Sequence, residues 1–251
     1  MEKLRQKISG LLKKLWEKTE PYGFTCDHCG KELFEYPALR LCENCEGSLR
    51  FVGSNACEKC GRETRADGIC GTCKQELPAF ARGFSPLVYV GETAFLINRM
   101  KTENPRLALY LGEKMADAFY QAQQPNSVLL LFVPSSPARI KERGYNPSEL
   151  LARSVEKRLK EYGIEVEMDG ETLLKRKETP MQKHMTRSER MENLQGAFHL
   201  HKRKICKGRT VLLVDDIMTT GATASECARL IKNAGAQEVF VLVAAALSER
   251  A

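Results

Sequence analysis

The chain has 251 residues, of which 43% are hydrophobic and 28% charged, and this composition excludes disordered, collagenous and coiled-coil proteins. Lysine and arginine number 39 against 32 aspartates and glutamates, which gives a formal net charge of +7. Ten cysteines in this length are too sparse for a small secreted scaffold held together by disulfides.

The N-terminal segment, residues 1–22, predicts an amphipathic helix over residues 3–19. Leu4, Ile8, Leu11 and Leu15 recur at helical spacing, with lysine and arginine on the opposite side. Such a helix docks on its own protein or on a subunit, or it lies on a membrane surface. The segment lacks the uninterrupted apolar region of a signal peptide, and no apolar run is long enough for a transmembrane segment. We therefore expect a cytoplasmic protein.

Residues 23–78 contain eight cysteines arranged as four Cys-x-x-Cys pairs, and they predict a double zinc ribbon. The first two pairs form a unit that recurs 31 residues later, with a glycine after the first pair of each unit. Two pairs give the four-sulfur set that zinc prefers, so we expect two structural zinc ions; iron–sulfur ligation and redox chemistry are the alternatives. The repeat favours sequential pairing, first pair with second and third with fourth, and interleaved pairing remains open. The expected ligands are Cys26, Cys29, Cys42, Cys45, Cys57, Cys60, Cys70 and Cys73.

Residues 79–251 alternate apolar runs with helical periods, which predicts an α/β domain with a mostly parallel sheet flanked by helices. A lysine- and arginine-rich stretch at residues 175–187 predicts a mobile loop. The predicted strands are residues 86–90, 127–133, 172–174, 197–200, 210–215 and 239–247, and the predicted helical segments are residues 93–100, 107–122, 147–162, 188–194 and 222–234.

The most informative segment is VLLVDDIMTTGAT, residues 211–223. A buried strand delivers two carboxylates to its C-terminal end, and the following residues turn directly into a helix. Free N–H groups at the helix start and threonine hydroxyls suit a phosphate, and the acidic pair suits the hydroxyls of an attached sugar. No lysine follows the glycine, so the loop is not a Walker A motif. The candidate residues are Asp215, Asp216, Thr219, Thr220, Gly221, Ala222 and Thr223.

This segment resembles the phosphoribosyl pyrophosphate (PRPP) motif of type I phosphoribosyltransferases. Further residues extend the resemblance across nearly all of the chain beyond residue 24: Val133, Pro134, Arg139, Arg143, Gly144, Tyr145, Asn146, Gln182, Arg187, Glu189, Arg190, Asn193, Gly196, Ala197 and Phe198. Together with the zinc ribbons, they resemble the ComF competence-protein family. The resemblance implies a type I phosphoribosyltransferase-like domain, a PRPP or related phosphoribosyl ligand with magnesium, and a role in DNA uptake during natural transformation.

The same resemblance implies a pyrophosphate-binding group beside the strand that ends at Val133. Its members are Ser135, Ser136, Arg139, Arg143 and Lys101. The family often has histidine where this chain has Ser136 and Asn98, and no catalytic residue or acceptor base is assigned.

Two functions from different classes follow from these residues. One is a magnesium-dependent phosphoribosyltransferase, an enzyme of the glycosyltransferase class. The other is a non-catalytic module that senses PRPP and binds single-stranded DNA or DNA-uptake proteins. Residues 171–210 carry eleven lysines and arginines against four glutamates, so a polyanion would meet this part of the chain.

Overall fold

The computed structural model describes residues 25–33, 40–65, 68–122, 125–176 and 196–249. The predicted helix at residues 3–19, the predicted helical turn at 188–194 and most of the predicted loop at 175–187 lie outside this range. The chain divides into two compact units, residues 1–46 and 47–251.

The first unit contains the first repeat of the cysteine motif. Thr25 and Glu32 form an antiparallel bridge on either side of the first Cys-x-x-Cys turn, and the amide of Gly30 donates to the carbonyl of Cys26. A short helix, α1 (Glu43–Gly47), carries Cys45. Its helical turn presents the second pair of cysteines.

The second unit is built on a six-stranded sheet in which every strand pairing is parallel. Its central path runs β1–β8–β7–β3–β4, and β2 also pairs with β8. Two further strands, β5 and β6, form a separate antiparallel ribbon. The strands are β1 (Arg82–Phe84), β2 (Leu87–Val88), β3 (Ser127–Phe132), β4 (Glu165–Met168), β5 (Leu173–Lys175), β6 (Phe198–Leu200), β7 (Thr210–Met218) and β8 (Glu238–Ala246).

Helices cover both faces of the sheet. Alternate residues of a strand point to opposite sides, so its buried strands present apolar side chains to both faces. Val239 and Val241 share a buried cluster with Ile231, whereas the ring of Phe240 lies 6.1 Å from that of Phe119. The helices of this unit are α2 (Gly71–Gln75), α3 (Gly91–Thr102), α4 (Leu107–Gln121), α5 (Pro137–Arg143), α6 (Pro147–Glu161) and α7 (Ala222–Asn233), with a 3₁₀ turn at Arg203–Cys206. The predicted α/β class with a mostly parallel sheet is confirmed.

The predicted strands and helices differ from the observed ones at a few places. The strand predicted at residues 86–90 is limited to Leu87–Val88, and the one predicted at 210–215 continues to Met218. Strands β1 and β4 and helix α5 were not predicted. Within the described ranges, none of the helices combines the length and the apolar composition that a membrane span requires.

Candidate functional site

The candidate phosphate loop follows β7 directly. The strand ends at Met218, and helix α7 begins at Ala222. Gly221 precedes the helix with a φ of +81°, a left-handed conformation that favours glycine. The hydroxyl of Thr220 accepts a 3.3 Å hydrogen bond from the amide of Ala222. The loop thus places the first turn of a helix, whose N–H groups lack intrahelical partners, at the carboxyl end of a parallel sheet.

The two carboxylates sit side by side at the end of the same strand. Oδ1 of Asp215 accepts hydrogen bonds from the hydroxyl of Ser148 (3.0 Å) and from the amide of Asp216 (2.9 Å). Burial raises the pKa of Asp215 to about 7, and the adjacent charge of Asp216 acts in the same direction. Asp215 also lines one pocket together with residues 217–224. Asp215 and the loop therefore face the same space.

Lys101 belongs to this site. Its Nζ lies 2.8 Å from Oδ2 of Asp216, and both side chains are at most one-fifth exposed, at 16% and 20%. Lys101 lies near the C-terminal end of α3, far from β7 in sequence. The cation offsets part of the negative charge that the two neighbouring carboxylates concentrate at the strand end.

Asn146 connects the predicted pyrophosphate loop to the acidic pair. Its amide donates to the carbonyl of Val133 (3.0 Å), and its Oδ1 accepts from the hydroxyl of Ser135 (2.9 Å). The same oxygen caps α6 by accepting from the amide of Ser148 at 3.2 Å. Asn146 is 3% exposed, so these bonds are made away from bulk water. One side chain therefore fixes the loop after β3 and the helix start that contacts Asp215.

The neighbouring residue, Tyr145, supports the opposite side of the site. Its hydroxyl donates a 2.8 Å hydrogen bond to the carbonyl of Met100, next to Lys101. Burial raises the pKa of Tyr145, so the phenol keeps its proton and remains a donor. Residues 145–148 thereby bond both Asp215 and the backbone next to the lysine.

The other members of the predicted pyrophosphate group lie on or beside α5. Ser136 is buried and precedes the helix, whereas the side chain of Arg139 is exposed and that of Arg143 is partly buried. Helix α5 has no buried residue among its seven. The described structure thus joins Ser135 and Lys101 to the acidic pair through hydrogen bonds and an ion pair, and leaves Arg139 facing solvent.

Each set of four cysteines converges on one point. Within each set, the Sγ atoms lie within 4.8 Å of one another. Four thiolates at this separation suit tetrahedral zinc, because they can be brought to a common ion at ordinary Zn–S distances. The pairing is sequential, as the repeat favoured: Cys26, Cys29, Cys42 and Cys45 form the first set, and Cys57, Cys60, Cys70 and Cys73 form the second.

The second cysteine set is packed into the phosphoribosyltransferase-like unit. All four of its cysteines are buried and share a cluster with Val211 and Ile231. A side chain at Gly61 would meet the carbonyl oxygen of Gly83 at 2.5 Å, so the ribbon backbone lies directly against β1. The amide of Gly83 donates to the carbonyl of Lys59 at 2.8 Å. This close approach requires glycine on both sides.

Sequence reasoning missed two residues that contact the site. Ser148 bonds Asp215, and Arg62 donates a 2.7 Å hydrogen bond to the carbonyl of Thr219. The order Asn-Pro-Ser at residues 146–148 is a helix-start signal that could have indicated the position of Ser148. Arg62 occupies the position in the second repeat that Lys31 occupies in the first. The repeat therefore gives no signal that Arg62 contacts the loop at Thr219.

The fold and these sites define a protein that combines a double zinc ribbon with a phosphoribosyltransferase-type domain. The family described as "Double zinc ribbon domain" matches residues 21–74, and the one described as "Phosphoribosyl transferase domain" matches residues 140–250. The zinc-ribbon match spans both sets of cysteines.

Two relatives extend the similarity to most of the chain. Competence protein F of Haemophilus influenzae is 29% identical over 223 residues, which are 80% of this chain and 94% of that protein. The DNA utilization protein YhgH of Salmonella typhimurium is 28% identical over 207 residues, which are 80% of this chain and 88% of that protein. The resemblance to the ComF family is confirmed.

A similar solved structure is glutamine PRPP amidotransferase from B. subtilis, complexed with ADP and GMP. It is 20% identical with a TM-score of 0.36, and the match covers 55% of this chain and 26% of that one. The matched part is thus about a quarter of that protein.

Proposed function

We propose that this protein binds PRPP, or a related phosphoribosyl ligand, and acts in the uptake of DNA. The observation that carries the proposal is the arrangement at the end of β7. Asp215, a threonine-rich loop and a helix N-terminus line one pocket at the carboxyl end of a parallel sheet, and Asp216 is the next residue of the same strand.

In this proposal the 5′-phosphate binds at residues 219–223. The helix N-terminus supplies N–H donors and the positive end of the helix dipole, and the threonines supply hydroxyl donors. Asp215 and Asp216 accept hydrogen bonds from the ribose hydroxyls. Ser148 and Lys101 hold these carboxylates in place through the bonds of 3.0 Å and 2.8 Å described above.

The pyrophosphate end of the ligand lies at the loop after β3 in this proposal. Ser135 is held there by Asn146, and Ser136 opens α5, whose Arg139 and Arg143 supply positive charge. Magnesium fits the donor set, because carboxylate, phosphate and hydroxyl oxygens are its preferred ligands and the acidic pair stands at the strand end. When bound, it would neutralise charge on the pyrophosphate.

The proposal extends from ligand binding to phosphoribosyl transfer. A nucleophile would attack C1 of the ribose while the C1–oxygen bond to pyrophosphate breaks, so the pyrophosphate departs with the bonding electron pair. Asp215 and Asp216 supply negative charge beside the ribose, where positive charge develops. Arg139, Arg143 and Lys101 supply positive charge for the departing group.

Calorimetric titration of PRPP with magnesium tests the binding proposal. We expect saturable binding to the wild type, and an affinity loss of about tenfold or more for Asp215→Asn combined with Asp216→Asn, because two charged acceptors are removed. Glu238→Gln is the matched control, since Glu238 is an exposed carboxylate at the start of β8, the opposite end of the sheet. Absence of binding to the wild type contradicts the proposal.

DNA binding is the second candidate function. The names of the two relatives refer to competence and to DNA utilization, and residues 171–210 of this chain carry a net charge of +7. We expect the affinity for single-stranded DNA to fall steeply with rising salt, because each neutralised phosphate releases counterions. Fluorescence anisotropy at several salt concentrations measures this slope, and an affinity that is independent of salt excludes a phosphate-dominated contact.

A further inference from the structure

Arg62 lies between the second cysteine set and the candidate phosphate loop. Its Nε donates to Sγ of Cys60 at 3.3 Å, and its Nη2 donates to the carbonyl oxygen of Thr219 at 2.7 Å. The residue is 6% exposed, although it carries a permanent charge. Two groups that are 157 residues apart in sequence, Arg62 and Thr219, are thus joined directly.

The chemistry of the guanidinium explains why arginine suits this position. A buried charge is costly unless it is paired and hydrogen-bonded, and the thiolates of the second set supply the compensating charge. The rigid fork of N–H donors reaches a sulfur on one side and a carbonyl on the other. A lysine ammonium is a compact point charge and lacks this fixed set of donors.

We infer that Arg62 is a positioning residue that sets the orientation of the phosphate loop from the second cysteine set. The peptide bond is planar and trans, so its carbonyl and its N–H point in opposite directions. Fixing the carbonyl of Thr219 toward Arg62 therefore turns the N–H of Thr220 away from the ribbon. Thr220 in turn bonds the amide of Ala222, so the orientation is passed to the helix start.

Other contacts anchor the same ribbon to the domain and keep Arg62 at a fixed place. Glu63 accepts from the hydroxyl of Ser248 at 3.0 Å, and its carbonyl accepts from the amide of Glu249 at 3.1 Å. Directly after the ribbon, the amide of Ala79 donates to the hydroxyl of Ser225 in helix α7 at 3.0 Å. The second ribbon therefore packs against the candidate phosphate loop, and Arg62 is its hydrogen-bonded contact with that loop.

The orientation of the loop is a property of the free protein, whereas the effect on ligand affinity rests on the proposed function. The test uses the full chain with Arg62→Ala and Arg62→Lys. Lysine keeps the positive charge beside Cys60 but not the two-sided hydrogen bonding. Lys59→Ala is the matched control, because Lys59 is a cation of the same cysteine knuckle whose Nζ donates to the carbonyl of Ala81 at 3.1 Å and not to the loop.

Three measurements are made on each protein: bound zinc, amide hydrogen exchange of residues 219–225, and PRPP affinity. We expect Arg62→Ala and Arg62→Lys to exchange these amides about tenfold faster than the wild type and to bind PRPP about tenfold more weakly, from the loss of a charge-assisted hydrogen bond. Lys59→Ala is expected to match the wild type. If Arg62→Ala loses zinc, the inference is tested with the amide exchange and the PRPP affinity of Arg62→Lys.

Unchanged exchange of residues 219–225 in a zinc-loaded Arg62 variant overturns the inference. This result is independent of ligand binding. If the wild type fails to bind PRPP while the Arg62 variants loosen the loop, the proposed function fails and the positioning role of Arg62 stands.

Discussion

Asp215 is held in the folded protein at an energetic cost that depends on pH. Its pKa is raised from 3.8 to about 7, mainly by burial, so the folded state binds a proton more tightly than the unfolded state does. This group therefore lowers the stability of the folded protein as pH rises through the window between these two values. A carboxylate retained at such a cost is typical of a binding or catalytic position.

Asp215→Asn is expected to remove this cost. The amide oxygen can keep the bonds from Ser148 and from the amide of residue 216, so the free energy of unfolding is expected to exceed that of the wild type by on the order of 2 kcal/mol at pH 8. The difference should shrink toward zero near pH 4. Thermal denaturation from pH 4 to pH 8 measures it.

Asp169 provides a control of opposite sign. Its Oδ1 accepts from the amides of Glu171 and Thr172, and Lys202 lies 3.3 Å from its Oδ2. These bonds lower the pKa of Asp169, so the group stabilises the fold above its ordinary pKa and less so in acid. We expect Asp169→Asn to be destabilising at pH 8. A constant difference between Asp215→Asn and the wild type across the pH range contradicts the account of Asp215.

The sequence predicted the individual residues of contiguous motifs better than those of long-range contacts. Asp215, Gly221 and the cysteine pairs were identified because a strand, a turn and a knuckle each place neighbouring residues on one site. The bonds from Ser148 to Asp215 and from Arg62 to Thr219 span 67 and 157 residues. They depend on which elements the fold brings together, which local spacing does not specify.

At the scale of elements, burial determined which strands and helices the sequence predicted. The long strand β8 is apolar after Glu238, β7 has a buried apolar run at residues 211–214, and both strands were predicted. Strand β4, at the sheet edge, alternates glutamate with Val166 and Met168 over four residues, too few for a clear period. Helix α5 buries no residue and so carries no apolar stripe.

The second zinc ribbon is expected to be a structural part of the phosphoribosyltransferase-like unit. Its four cysteines pack with Val211 and Ile231 in one cluster, so loss of the metal should expose part of the domain core. We predict that Cys57→Ser lowers bound zinc from two ions to one per chain and lowers the thermal midpoint by about 5 °C or more. Metal analysis and calorimetry check both values.

Cys227→Ala is the control for this prediction. Cys227 is also buried, in helix α7, but is not in either cysteine set. This variant should keep two zinc ions per chain. Two zinc ions bound by Cys57→Ser, or an unchanged midpoint after the loss of one, contradicts the structural role of the second ribbon.

At the scale of the whole molecule, the positive charge behind the net value of +7 is concentrated in one part of the chain. The eight cysteines of the two sets would carry negative charge as zinc ligands, which the two metal ions offset in part. Positive charge remains concentrated in residues 171–210, of which the described part includes the 3₁₀ turn with Arg203 and Lys204. This is where a DNA backbone would first be attracted.

The proposed ligand site is linked to two other parts of the chain. Residues 215–223 form the proposed site, residues 145–148 bond Asp215 and the backbone next to Lys101, and the second ribbon reaches the loop through Arg62. The sequence predicted the class of fold and both cysteine sets. It did not predict that one of these sets borders the phosphate loop, because the repeat makes the two sets look equivalent.

A crystal structure of the wild-type protein soaked with PRPP and magnesium tests the central claim most directly. The account predicts the 5′-phosphate at the amides of residues 220–223 and the ribose hydroxyls within hydrogen-bonding distance of Asp215 and Asp216. The carbonyl of Thr219 should still accept from Arg62. A ligand bound elsewhere, or a phosphate group that leaves residues 219–223 untouched at saturating concentration, would contradict it.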